Sequence, residues 1–444
     1  MVNDNIAAIA TALMPSGVAV IRISGNSPLN IADKMFKPLG KTAVCDFSPN
    51  VMYAGEICAD GFSDFGLCVY FKGPKSFTGE DTVEFHSHGG IAITEGILKK
   101  ILSLGARLAD RGEFTKRAFL NGKLSLASSE GLIDMINSQS VSAVKAGYSL
   151  YREKLTKDII DCQDKLTDAI SEIDADMDFP EEDLEQLSLD KVRENLTIVS
   201  RELYKKIATY RTGRVIKNGV KVGIVGKPNT GKSSILNALL NYQKAIVSSV
   251  AGTTRDVVEG AIDINGLTFR FSDTAGIRES EDNIEAQGVD LSRRVLSESD
   301  IVLFVLDADD ITADDEEIYQ MVKDYDTVIA VNKTDKSKNT YKHADVYLSA
   351  KTLDNIEELK SLLYKKAVKD VDINGEFLTE ERHLDALKRA KAKIDEGLEN
   401  LGKVPLDMVA IDIKDGWDAL GEISGKTATE EIINNIFSKF CVGK

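Results

Sequence analysis

Gly226-Lys227-Pro228-Asn229-Thr230-Gly231-Lys232-Ser233 decides how the middle of this chain folds. The apolar run Val222 to Val225 before it reads as a buried strand, and Ser234 to Leu240 after it reads as a helix. A glycine-rich turn between a strand and a helix N-terminus aims successive backbone N–H groups at a phosphate, with the positive end of the helix dipole behind them. Thr230, Gly231, Lys232, Ser233 and Ser234 thereby become phosphate-binding residues. Lys232 can reach the β- and γ-phosphates, and the Ser233 hydroxyl can ligate Mg²⁺.

Three downstream strings select the base. Asp273-Thr274-Ala275-Gly276 follows the strand-like run Leu267 to Phe271, which puts a carboxylate at a strand end near the metal and a glycine N–H near a γ-phosphate. Asn332-Lys333-Thr334-Asp335 closes the β-rich run Thr327 to Val331. Its Asp335 carboxylate can accept guanine N1–H and the exocyclic amine together, a donor pair that adenine lacks. Ser349-Ala350-Lys351 follows a further short strand and offers a backbone N–H to guanine O6. In this order and spacing the strings specify a guanine-nucleotide site on a doubly wound α/β domain.

Between the first two motifs, Ser248, Ser249, Val250, Ala251, Gly252, Thr253 and Thr254 form a loop that a γ-phosphate would order, with Thr254 as the second side-chain ligand to Mg²⁺. After Asp-Thr-Ala-Gly the residue is Ile277, where a Ras-like enzyme carries a glutamine to orient the attacking water. An apolar side chain cannot do that. Asn229, with oxygens of Ser248, Val250 and Thr253, could cage a monovalent cation against the phosphates and so supply the charge of an arginine finger; as a residue type it serves equally as a loop cap. Glu285 could orient water through an intermediary or sit on a solvated helix face. Arg255 and Arg278 are rival charge donors or plain surface residues.

The rest of the chain sets bounds. Its 444 residues suffice for about two to three domains, and 43% hydrophobic with 28% charged residues is an ordinary soluble composition. A net charge of −16 argues against broad nonspecific attraction to nucleic acid, so any RNA contact needs a local patch or a companion protein. No apolar stretch is long enough to span a bilayer, and no Lys or Arg precedes the apolar patch Ile6 to Met14 as a secretory signal requires. The five cysteines (Cys45, Cys58, Cys68, Cys162, Cys441) form no CxxC pair and indicate neither disulfides nor zinc. A cytoplasmic location and no membrane contact follow as expectations.

Residues 1–120 combine β-like runs (Gly17 to Ile23, Leu67 to Phe71) with a helical stretch from Ile91 to Leu104 and read as an α+β domain. Residues 121–218 read as helical, with Arg211 to Gly219 as the connection into a nucleotide domain at 219–369. Residues 370–444 begin with a polar connection and return to helix. A globular domain flanked by helices suggests an insertion whose flanks pack as one bundle.

Several further strings complete a resemblance: Arg22-Ile-Ser-Gly25, Ser76-Phe-Thr-Gly-Glu-Asp81, His88-Gly-Gly90, Arg111 to Lys123, Asp178-Phe-Pro-Glu-Glu182 and the terminal Phe440-Cys-Val-Gly-Lys444. With the nucleotide motifs they make the whole chain similar to the tRNA modification GTPase family (MnmE, also TrmE). The resemblance implies a homodimer through the N-terminal domain and an α/β G domain inserted into a helical bundle. It also implies potassium-stimulated GTP hydrolysis as G domains meet across the dimer. A flavin-containing partner of the MnmG (GidA) type is implied, the pair adding an aminomethyl-type group, commonly carboxymethylaminomethyl, to carbon five of the wobble uridine of certain tRNAs. A tetrahydrofolate derivative, 5-formyl or 5,10-methylene, is implied as one-carbon source.

Residue by residue, the resemblance assigns K⁺ to Asn229, Ser248, Val250 and Thr253, Mg²⁺ to Ser233 and Thr254, and water orientation to Glu285. It assigns folate contacts to Arg22, Glu84, Lys123 and Lys444, where Arg22 is otherwise a rim charge and the two lysines solvated. Cys441 is either a nucleophile or one-carbon carrier, or a small residue at a domain seam. Val442 stands where isoleucine is common in the family, and Phe85-His86-Ser87 where Leu-Gln-Gly is common, which changes the wall of the folate pocket. A ribosome-assembly GTPase would share the nucleotide chemistry but calls for a basic RNA-binding tail; a folate-binding scaffold with a vestigial site would not keep Ser233, Thr254 and Asp273 together.

Overall fold

Two β-sheets with separate hydrophobic cores organise the chain. The computed structural model describes residues 4–178, 185–242, 260–273, 296, 298–368 and 376–444. Close packing divides the chain into one unit of residues 1–133, 149–200 and 389–444 and a second of 134–148 and 201–388.

The first unit carries β1 (Ile6–Ile9), β2 (Ser16–Gly25), β3 (Phe36–Pro38), β4 (Met52–Ala59), β5 (Phe62–Phe71), β6 (Asp81–Gly89) and β7 (Arg107–Leu108) in the order β3-β4-β5-β6-β2-β1-β7. Alternation of side chains gives this sheet two unlike faces. Ile21, Ile23, Ile57, Cys68 and Phe85 pack with Ile97 and Ile101 of the helix Ile91–Ser103. The opposite face carries the cross-strand row Ala8–Arg22–Glu84–Val69. Farther out on that face, Met52 and Phe65 expose more than half of their surface.

The helices of this unit follow a 3.6-residue period. Ile159, Cys162, Leu166, Ala169 and Ile173 line the buried side of Lys154–Asp178, and Val409, Ile413, Leu420 and Ile423 that of Leu406–Ser424. These helices, from opposite sides of the nucleotide-binding stretch in sequence, pack together, with Gln163 Nε2 donating to the Trp417 carbonyl at 3.0 Å. Likewise the Ser200 hydroxyl donates to Asp395 Oδ1 at 2.6 Å. The C-terminal tail, beyond the helix Glu430–Ser438, returns to the first sheet. Gly112 N–H donates to the Cys441 carbonyl at 3.4 Å, and Arg111 and Val442 form an antiparallel bridge. Gly443, at φ +99°, lies so close to β1 that an added Cβ would stand 2.2 Å from the Ile9 carbonyl oxygen.

The second unit holds β8 (Val220–Val225), β9 (Gly260–Ile264), β10 (Leu267–Asp273), β11 (Ile301–Asp307), β12 (Thr327–Asn332) and β13 (Val346–Tyr347), ordered β13-β12-β11-β8-β10-β9. All neighbouring pairs are parallel except β9 with β10. β11 is buried from end to end, as a strand covered on both faces must be. Arg211 to Gly219, the connection into the nucleotide domain, is mostly helix, Tyr210–Asn218. Ile216 is buried in the core of this unit, and Thr209 Oγ1 accepts the Leu378 N–H at 3.0 Å.

Candidate active site

The phosphate-binding turn is built where the sheet requires it. β8 lies between β10 and β11, so its C-terminal end opens at the point where helices leave to either face, the usual ligand crevice of such sheets. Gly226, at φ +152°, crosses β11 so closely that a Cβ would meet the Val305 carbonyl at 2.3 Å. Lys232 opens the helix Lys232–Tyr242 and is only 7% exposed. Its Nζ donates to the carbonyls of Gly226 and Lys227, both at 2.9 Å, so the ammonium sits inside the ring of backbone that would surround a phosphate. Ser233 and Ser234 follow on the first turn of that helix, and Thr230 is buried with its hydroxyl donating to the Lys227 carbonyl at 3.0 Å.

Asn229 adopts φ +65° and is exposed; its carbonyl accepts Lys333 Nζ at 2.7 Å. Lys333 also donates to Asp307 Oδ2 at 2.6 Å. Burial opposes ionisation of Asp307, but the Lys333 contact and the Asp309 N–H hold its carboxyl below the usual range. Sequence reading missed Asp307; the signal available was an acid ending a wholly apolar strand of a parallel sheet.

Asn332 ties the phosphate loop to the base loop. Its Nδ2 donates to the Thr230 carbonyl at 3.0 Å, and its Oδ1 accepts the Ala350 N–H at 3.0 Å. One backbone N–H of the Ser349-Ala350-Lys351 string, that of Ala350, therefore has an acceptor already. Asp335 is exposed, and its Oδ1 accepts the Ser349 hydroxyl at 2.7 Å, a bond that keeps the carboxyl below its ordinary range. That bond orients the carboxylate. Lys351 is exposed two residues beyond Ser349.

A second device went unseen in the sequence. Lys227 Nζ contacts the Asp310 carbonyl at 2.8 Å, Thr312 Oγ1 at 3.0 Å and Asp315 Oδ2 at 2.9 Å, fastening the second residue of the phosphate loop to the segment after β11. Asp315 is fully buried and also accepts the Thr312 N–H, so the lysine supplies the cation that such a carboxylate needs.

Ser248, Ser249, Val250, Ala251, Gly252, Thr253, Thr254, Thr274, Ala275, Gly276, Ile277 and Glu285 lie outside the described residues. Ser233, expected as an Mg²⁺ ligand, stands on the first helical turn after the loop, and Asp273, expected near the metal, ends β10 in register with Ile224 of β8. A hydroxyl is one of the hard oxygens Mg²⁺ takes.

Away from the nucleotide site, Arg22 and Glu84 face each other across β2 and β6, with Arg22 Nε donating to Glu84 Oε1 at 2.7 Å. Arg22 lies over the rings of Phe77 and Phe114, its guanidinium carbon 5.6 Å from each ring centre. Glu84 is 13% exposed; burial raises its carboxyl, but His86 and Arg22 outweigh that and hold it low. Lys123 Nζ donates to the Pro74 carbonyl at 2.9 Å, so the segment from Pro74 through Phe77 touches both Lys123 and Arg22. Lys444 is partly exposed and Cys441 exposed, on the tail seated against β1.

A mostly parallel sheet with a strand–glycine-rich loop–helix phosphate site and an Asn-Lys-Thr-Asp base loop defines a P-loop guanine-nucleotide-binding protein. The model of the GTP-binding protein TrmE N-terminus matches residues 5–123, and that of the MnmE helical domain matches residues 126–441. The chain is 37% identical to the tRNA modification GTPase MnmE of Caldicellulosiruptor saccharolyticus over 99% of both chains. It is 37% identical to that of Clostridioides difficile over 100% of both. It belongs to the MnmE family of tRNA modification GTPases and is a GTP hydrolase. Among solved structures, a point variant of Aquifex aeolicus Era bound to GDP·AlF4⁻ is 30% identical, covering 39% of this chain and 66% of that one with a TM-score of 0.27, too low to bear on the assignment. Among the described residues no helix is long and apolar enough to cross a membrane.

Proposed function

We propose that this chain is the potassium-dependent GTPase subunit of a tRNA wobble-uridine modification system. It acts as a homodimer with a flavin-containing MnmG-type partner in the cytoplasm and draws a one-carbon unit from a tetrahydrofolate derivative. Residues 1–120 form the folate-binding and dimerisation domain, 219–369 the G domain, and 121–218 with 370–444 the helical domain. The named relatives are tRNA modification GTPases, and this chain spans their full length.

The observation that carries the reading is the return of the C-terminal tail to the N-terminal sheet. It brings Cys441 and Lys444 onto the same folded unit as Arg22, Glu84 and Lys123, residues remote in sequence that share no role in nucleotide binding. A carboxylate held beside an aromatic-flanked guanidinium suits the amidine-like edge of a pterin, and lysines suit a glutamate tail. The exposed Met52 and Phe65 on the same sheet face support a second copy covering it.

At the nucleotide site, Lys232 neutralises β- and γ-phosphate charge, Asp335 reads guanine, and Asn332 keeps the two loops in fixed relation. Bound Mg²⁺ and K⁺ would supply further positive charge where it develops, with Ser233 and Thr254 for Mg²⁺ and Asn229, Ser248, Val250 and Thr253 for K⁺. Glu285 orients the attacking water, and Cys441 takes part in one-carbon transfer.

A cell lacking its own copy of this gene tests the proposal. Wild-type protein should restore the modified wobble uridine, measured by mass spectrometry of digested tRNA, and Lys232→Ala should not. Full modification with Lys232→Ala, or none with the wild type, would overturn it.

A further inference from the structure

Lys227, the second residue of the phosphate loop, is engaged at both of its ends. Its backbone carbonyl accepts Lys232 Nζ at 2.9 Å and the Thr230 hydroxyl at 3.0 Å, so it holds the lysine that would meet a phosphate. Its ammonium reaches the Asp310 carbonyl at 2.8 Å, Thr312 Oγ1 at 3.0 Å and Asp315 Oδ2 at 2.9 Å. The side chain is only 13% exposed, although it belongs to a surface loop.

The anchorage at the far end is firm. Thr312 and Asp315 form a capping box at the start of the helix Ala313–Val322, in which the Asp315 carboxylate accepts the Thr312 N–H at 2.9 Å. Asp315 is fully buried, and among the described residues its Oδ1 meets no hydrogen-bond donor. A carboxylate in that setting depends on its cation, so the ion pair pulls on the loop as well as neutralising the acid.

We propose that Lys227 is a positioning residue for nucleotide capture: through its pairing with Asp315 it holds the leading edge of the phosphate loop in binding shape before a nucleotide arrives. The other grips act later in the loop, Lys333 on the Asn229 carbonyl and Asn332 on the Thr230 carbonyl. Lys227 fixes the edge whose carbonyls hold Lys232. Once phosphates are bound, their own contacts to the loop N–H groups and to Lys232 keep it in place. The latch therefore strengthens binding of ground state and transition state alike, and its loss shows in KM far more than in kcat. Reordering the backbone of one residue at each binding event weakens affinity on the order of tenfold.

The test is titration of the full-length protein with a fluorescent GDP analogue, alongside GTP turnover. Lys227→Met keeps the length of the side chain and loses its charge, so affinity should fall about tenfold. The KM for GTP should rise by a like factor while kcat moves far less. This variant also leaves Asp315 buried without its cation and should unfold at lower temperature. Adding Asp315→Asn removes the orphaned charge and keeps an acceptor for the Thr312 N–H. In that double variant thermal stability should return towards wild type while nucleotide affinity stays low. Affinity that recovers together with stability would reduce Lys227 to a structural counter-ion and overturn the proposal. Wild-type affinity in Lys227→Met, or a loss confined to kcat, would overturn it as well.

Discussion

The nucleotide site and the N-terminal sheet site are made in opposite ways. The first is a backbone device: Gly226, Thr230 and the opening turn at Lys232 lie within one short loop, and distant residues such as Asn332 and Lys333 act by gripping that loop's carbonyls. The second is a side-chain device: Arg22, Glu84, Lys123 and Lys444 come from four separate segments. A backbone device needs a fixed spacing of glycines and so leaves a string in the sequence. A side-chain device needs only a cross-strand register, which any two β-strands can provide.

The largest expected effect breaks the first site alone. Asp335→Asn exchanges an acceptor for a donor where guanine N1–H must be received, so GTP affinity should fall on the order of a hundredfold, the size of a lost charge-assisted pair. Xanthine nucleotide should bind the variant better than guanine nucleotide, as competition binding would reveal. Retained GTP preference would remove Asp335 from base recognition.

A smaller effect sharpens the contrast from the other side. Gly443→Ala forces a side chain into a left-handed backbone and against the Ile9 carbonyl, a strain of about 1–3 kcal/mol. Hydrogen exchange at Gly112 N–H, which donates to the Cys441 carbonyl, should accelerate, while GTP affinity stays at the wild-type value. Unchanged exchange would mean that the tail does not depend on this seat.

Legibility followed the same division. Strand–loop–helix order, the base motif and the guanine specificity were readable because each is a contiguous string whose chemistry dictates its spacing. Lys227–Asp315 and Asn332–Thr230 were not, since both depend on how β11 and β12 run beside β8. In the N-terminal sheet, the runs Gly17 to Ile23 and Leu67 to Phe71 gave strands at the right places, but only a family resemblance singled out Arg22 and Glu84.

A further effect concerns neither site. Lys217 Nζ lies 2.8 Å from Asp134 Oδ1 and also pairs with Glu380, so one lysine serves two carboxylates. Burial first, then the charge of Glu380, pushes the Asp134 carboxyl up to about 8 despite Lys217. The folded protein thus holds a proton there that the unfolded chain, with a carboxyl near 3.8, releases earlier. Stability should therefore fall as pH rises from about 4 to about 8 and level off above, since the native state binds the extra proton. Asp134→Asn, neutral at every pH, should flatten this part of the dependence in denaturant titrations, and parallel curves would refute the assignment.

GTP hydrolysis by the purified protein and by Asn229→Ala, in potassium and in sodium buffer at several protein concentrations, tests the central claim most directly. Turnover by the wild type should be stimulated by potassium and should rise with concentration as G domains meet, and Asn229→Ala should lose the stimulation while binding nucleotide. Slow turnover indifferent to cation and concentration, or full stimulation of Asn229→Ala, would contradict the account.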